Sequence, residues 1–208
     1  TTFGNQGVLL VSLGDNAVIT GIEPLPGGAA LVAGVTADLS ESRAFVTRVD
    51  AMGQIDPSFG QGGFTFVGAD FADQLIPLAR SAGGQIAILA AAPGQETWLW
   101  RFDENGNTDL TFGVAGHAVL AGGTPRDLVY QPDGKLLALT DFGGATLFRV
   151  DPAGLPDATF GTAGELAPGF TARDLDLAAT GSILVTGQTS ALKLDSAGDP
   201  DPTFGNGG

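Results

Sequence analysis

Cysteine is absent from this 208-residue chain, histidine and methionine occur once each, and only nine side chains are basic. Each shortage removes a class of chemistry. Without thiols there is no disulfide, no cysteine nucleophile and no cysteine-ligated metal, and the single imidazole, His117, is too few for the usual zinc sites. No G-x-S-x-G elbow is present, and the glycine-rich runs PGGAA and SAGGQ do not open helices, so nucleophile and phosphate-cradle motifs are missing too. Against 23 acidic residues the basic ones leave a formal net charge of −14, so a polyanion would bind against the field of the whole molecule. Nucleic acid is therefore excluded as a partner. No window reaches 18 uninterrupted apolar residues, which argues against membrane insertion. Together these shortages give the expectation of a non-enzymatic protein with no cofactor.

What is abundant is glycine, at 33 residues with 12 prolines, in a chain that is 43% hydrophobic and only 15% charged. That composition suits a folded domain of many short strands joined by tight turns. A motif recurs through it with its spacing intact: RVDAMGQIDPSFGQGG (48–63), RFDENGNTDLTFGVAG (101–116), RVDPAGLPDATFGTAG (149–164) and KLDSAGDPDPTFGNGG (193–208), with a truncated copy, TTFGNQG, opening the chain. The common pattern is D-x-x-G-x-x-D-x-S/T-F-G. Its phenylalanines, Phe3, Phe59, Phe112, Phe160 and Phe204, lie 56, 53, 48 and 44 residues apart, and divide the chain into units of about 3–58, 59–111, 112–159 and 160–208.

Each unit also carries two apolar stretches of four to eight residues around a turn glycine, Gly28, Gly84, Gly134 or Gly181, which read as an antiparallel hairpin. A third strand follows in AFVTRVD, TWLWRFD, TLFRVD and ALKLD, and a fourth is expected after each F-G-x-x-G, as in GVLLVSL and GFTFVGA. About four short strands per ~50-residue unit predict an all-β fold, a β-propeller of four repeats that is either four-bladed or a segment of a larger propeller.

The third unit, RDLVYQPDGKLLALTDFGGATLFRVDPAGLPDATFG, resembles the Delta-60 repeat of large bacterial proteins: an apolar stretch, Q-P-D-G-K, a strand, and the closing Phe-Gly motif. The resemblance extends over essentially the whole chain, although the last unit is shorter than the family's period. It implies propeller-like blades in an exported or surface-associated protein and assigns no catalytic residue. The chain starts at Thr1 with neither methionine nor leader, so it is expected to be processed or excised, and the Phe-Gly element at both ends suggests a longer array or head-to-tail association.

Two candidate sites emerge. Calcium takes six to eight oxygens around a glycine bend, and DENGNTD offers Asp103, Asn105, Asn107 and Asp109, whereas the sister copies place Met52, Ala153 and Ala197 where Asn105 sits. The plain alternative is a turn: the first Asp accepts backbone N–H groups, Gly takes positive φ, and the second Asp caps the next turn. In TWLWRFD, Trp98 and Trp100 alternate with Leu99 on one face of a strand, a stacking platform for a glycan or a packing contact. The functional expectation is a structural or interaction module at the cell surface, joined to a protein partner or to itself end to end. The alternative is a carbohydrate- or calcium-binding propeller.

Overall fold

The computed structural model describes residues 17–37, 42–68, 75–92, 96–141 and 143–205, together with Val8 and Leu13. The truncated copy around Phe3 and most of the strand expected at GVLLVSL lie outside the described residues. The rest forms four antiparallel sheets in chain order. The first contains β1 (Ala17–Pro24), β2 (Ala30–Ala37), β3 (Ser42–Val49) and β4 (Phe64–Val67). The second contains β5 (Leu78–Arg80), β6 (Ile86–Ala91), β7 (Thr97–Phe102) and β8 (His117–Leu120). The third contains β9 (Thr124–Tyr130), β10 (Leu136–Asp141), β11 (Ala145–Val150) and β12 (Glu165–Leu166), and the fourth β13 (Ala172–Leu177), β14 (Ile183–Gly187) and β15 (Ala191–Leu194). Each sheet is a meander of neighbours paired in sequence, which is the organisation of a propeller blade.

The hairpins arise where the turn glycines allow them. Gly28, Gly84, Gly134 and Gly181 all have φ between +83° and +91°, a region that costs other residues about 1–2 kcal/mol. The fourth strand follows the Phe-Gly motif but pairs with the third strand before it, so sheet boundaries fall after the Phe-Gly elements rather than at them.

Burial follows from stacking sheets face to face. Strand β6 and the Leu136–Leu139 stretch of β10 are continuously apolar because both of their faces are covered. Three cores result, one in each gap: Leu31, Val46, Phe59 and Ile88 in the first, Leu89, Leu99, Phe112 and Leu136 in the second, Leu139, Phe160, Ile183 and Val185 in the third. Each of the three motif phenylalanines fills a different gap, at about 2–3 kcal/mol of hydrophobic stabilisation apiece. First strands pack successively, β1 on β5, β5 on β9 and β9 on β13. No comparable packing joins β13 to β1 among the described residues. No helix among them is long and apolar enough to cross a membrane.

Candidate functional site

The repeated motif is a clasp between neighbouring blades. Its first aspartate, Asp50, Asp103, Asp151 or Asp195, accepts the N–H groups two and four residues on, as in Met52 and Gln54 to Asp50 Oδ1 at 2.9 Å each. Its second aspartate uses one oxygen to cap the Ser or Thr two residues later, through both N–H and hydroxyl. The other oxygen takes the arginine at the motif's head: Arg48 to Asp56, Arg101 to Asp109, Arg149 to Asp157. Each guanidinium lies over the motif's own phenylalanine, 5.4, 4.4 and 4.5 Å from the ring centres of Phe59, Phe112 and Phe160. Its Nη1 then donates to a carbonyl of the following blade, that of Glu104, Pro152 or Ser196. The fourth copy has Lys193 in place of arginine, paired to Asp201 at 2.7 Å, and its Phe204 is only half-buried.

These bonds set the electrostatics. The Ser58 hydroxyl and N–H, with Arg48, hold the Asp56 carboxyl down at about 2. At Asp157 burial pushes upward but is outweighed by Thr159, Lys135 and Arg149, which hold it far below the usual range. Asp127 on β9 behaves oppositely. Burial pushes it up to about 6, against the N–H groups of Leu175 (2.7 Å) and Leu128 (2.8 Å), with the neighbouring Asp174 adding to the rise.

The DENGNTD turn follows the same clasp pattern as its sisters. Asp103 Oδ1 receives Asn105 and Asn107 N–H, its Oδ2 receives the Asn107 amide, and Asp109 is engaged by Thr111 and Arg101. No group of three or more acidic or histidine side chains that could hold a metal occurs among the described residues.

Trp98 and Trp100 are brought together with a residue the sequence did not single out for this place. Strand β7 pairs Trp100 with His117 and Trp98 with Val119 on β8, and all four side chains stand on one face. The indole centres are 6.1 Å apart at 68°, and the imidazole lies 4.5 Å from Trp100 and 5.0 Å from Trp98. All three rings are half-buried. Trp98 Nε1 donates to Glu96 at 3.0 Å, whereas Trp100 Nε1 and His117 Nδ1 are buried with no partner among the described residues. The signal for His117 lay in the fourth strand expected after F-G-x-x-G. That strand begins at His117 and, by the pairing of Phe64 with Thr47 in the first unit, sets it opposite Trp100.

No family model matches the chain, and no curated protein does. Among solved structures it is similar to a Bacteroides caccae protein of unknown function, with 13% identity, 94% of this chain and 72% of that one covered, and a TM-score of 0.54. It is similar also to a glucose dehydrogenase, at 13% identity over 86% of this chain and 67% of that one, with a TM-score of 0.56. A calcium-binding regucalcin from Agrobacterium tumefaciens shares 14% identity, covers 82% of this chain and 53% of that one, and has a TM-score of 0.48. The fold is that of a β-propeller.

The comparison corrects one expectation. A non-enzymatic structural module was inferred from the missing linear motifs, yet a glucose dehydrogenase carries this fold. Missing motifs do not decide the matter, because a propeller can bring together residues from separate strands, as β7 and β8 bring His117 beside Trp100 here.

Proposed function

We propose that this propeller recognises a saccharide on the Trp98–Trp100–His117 face. The observation that carries the reading is three aromatic rings within 4.5–6.1 Å on one half-buried sheet face, beside two buried polar atoms without a protein partner among the described residues. Indoles stack on the C–H faces of a sugar ring, and hydroxyl groups meet the polar edge that a purely apolar ligand would leave unpaired. The reading is the same whether the sugar is only held or also transformed, so turnover is measured alongside binding.

Both tryptophans of the chain stand at this site, so tryptophan emission, excited selectively over Tyr130, reports on it. Titration with soluble cello-, malto- and chito-oligosaccharides, after a glycan-array screen, is expected to shift the emission, and Trp98→Ala to weaken binding at least tenfold. An array without a single bound glycan would sink the proposal. Calcium is a narrower proposal, supported by the exposed Asn105 and Asn107 beside the half-buried Asp103 of the second turn and tested by calorimetric titration with Ca²⁺ before and after Asn105→Ala. Membership of the Delta-60 repeats and a place at the cell surface are proposed on the resemblance of the repeated motif.

A further inference from the structure

The clasp leaves a crevice beside the arginine, where the first hairpin turn of one blade meets the closing turn of the next. Between the first and second blades it measures about 260 Å³, and its wall includes Leu25, Ala29, Arg48 and Glu104. Between the third and fourth it measures about 410 Å³, and the equivalent places hold Gln131, Lys135, Arg149 and Ser196. The turn glycines fix the equivalence: Leu25 and Gln131 stand three residues before Gly28 and Gly134, Ala29 and Lys135 one residue after. At these two positions the first interface is apolar and the third polar.

The exchange is costly unless something fills the space. Gln131 is only 6% exposed; its Nε2 donates to the Ser196 carbonyl at 3.4 Å, and its Oε1 has no partner among the described residues. A leucine, as in the first blade, would leave no such acceptor unpaired. Around it the charges cancel, since Lys135 Nζ lies 3.3 Å from Asp133 and 3.1 Å from Asp157, and Arg149 Nε lies 2.8 Å from the same Asp157 oxygen.

We propose that the crevice between the third and fourth blades binds a neutral polyhydroxylated molecule of monosaccharide size, with Gln131 Oε1 accepting a hydroxyl proton. A hydroxyl both donates to that oxygen and accepts from the Lys135 ammonium. A cation would meet Lys135 and Arg149, and an anion Asp133, Asp157 and a net charge of −14. The volume falls within the ~300–1,000 Å³ of small-molecule sites. The site lies between different blades from the aromatic face and does not rest on it.

Saturation-transfer NMR and calorimetry on the whole chain, with D-glucose, D-galactose, D-mannose and myo-inositol as probes, test the assignment. Transfer to at least one probe is expected, with affinity reduced tenfold or more by Gln131→Leu and several-fold by Lys135→Ala, in the parent and in a Trp98→Ala background alike. Circular dichroism confirms that the variants fold, and Lys135→Ala, which matches Ala29 of the first blade, stands in should Gln131→Leu unfold. No transfer to any probe, binding indifferent to both crevice variants, or tighter binding of glucuronate or glucosamine overturns the proposal. Binding lost only in Trp98→Ala assigns the sugar to the aromatic face and leaves this crevice without one.

Discussion

Arg101 shows what a single clasp residue contributes. Its Nε and Nη2 reach Asp109 at 2.9 and 2.8 Å, its Nη1 reaches the Pro152 carbonyl of the next blade, and its plane covers Phe112. Lysine has one compact charge and can keep only the ion pair. Arg101→Lys is therefore expected to lower stability by about 1–3 kcal/mol, through the lost inter-blade bond and the lost stacking. Phe112→Ala, which empties the gap beneath, is expected to cost about 3–5 kcal/mol. Urea unfolding followed by tryptophan emission measures both, and an Arg101→Lys variant as stable as the parent would show that the inter-blade bond is idle. The aspartates, glycine and phenylalanine of the motif were legible in the sequence because turn chemistry and Phe burial repeat locally. The bond from Arg101 to residue 152 was not, since no spacing rule ties a side chain to a backbone carbonyl in the following unit.

Within the hairpins and turns, glycines of similar conformation serve different ends. Gly106 has φ +81°, and a methyl group there would come within 2.7 Å of the Phe59 ring of the preceding blade. Gly181 has φ +83° and open space around it. Gly181→Ala therefore tests backbone strain alone, about 1–2 kcal/mol, while Gly106→Ala adds an overpacking cost of about 1–3 kcal/mol. Equal losses in the two variants would mean that the turn does not seal the phenylalanine. The order of strands was legible from period-two runs and turn glycines, as was the fourth strand after F-G-x-x-G. Their grouping was less so, because a strand's partner is set by which apolar face needs covering, and β4 and β8 turn back onto the strand before the motif. That same grouping brings His117 to Trp100, a placement missed when the lone histidine was weighed only as too few for a zinc site.

For the molecule as a whole, two sets of carboxyls oppose each other in their response to pH. The clasp aspartates are held below their usual range, Asp56 at about 2, so their contribution is present above the unfolded value near 3.9 and is lost as pH falls through the folded one. Asp127 is held above its usual range, at about 6, so the folded state binds the extra proton between roughly pH 4 and 6 and stability falls as pH rises through that window. A net charge of −14 adds self-repulsion on the same side. The melting temperature should therefore peak near pH 4–5 and decline toward both acid and neutral pH. Asp127→Asn separates the two causes of the neutral limb, because it removes the titration between pH 4 and 6 while lowering the net negative charge by only one. A decline that flattens in this variant assigns the limb to Asp127 at the contact between β9 and β13. An unchanged decline assigns it to the charge of the whole molecule, and a melting temperature that climbs steadily from pH 4 to 7 in the parent would overturn the raised carboxyl itself.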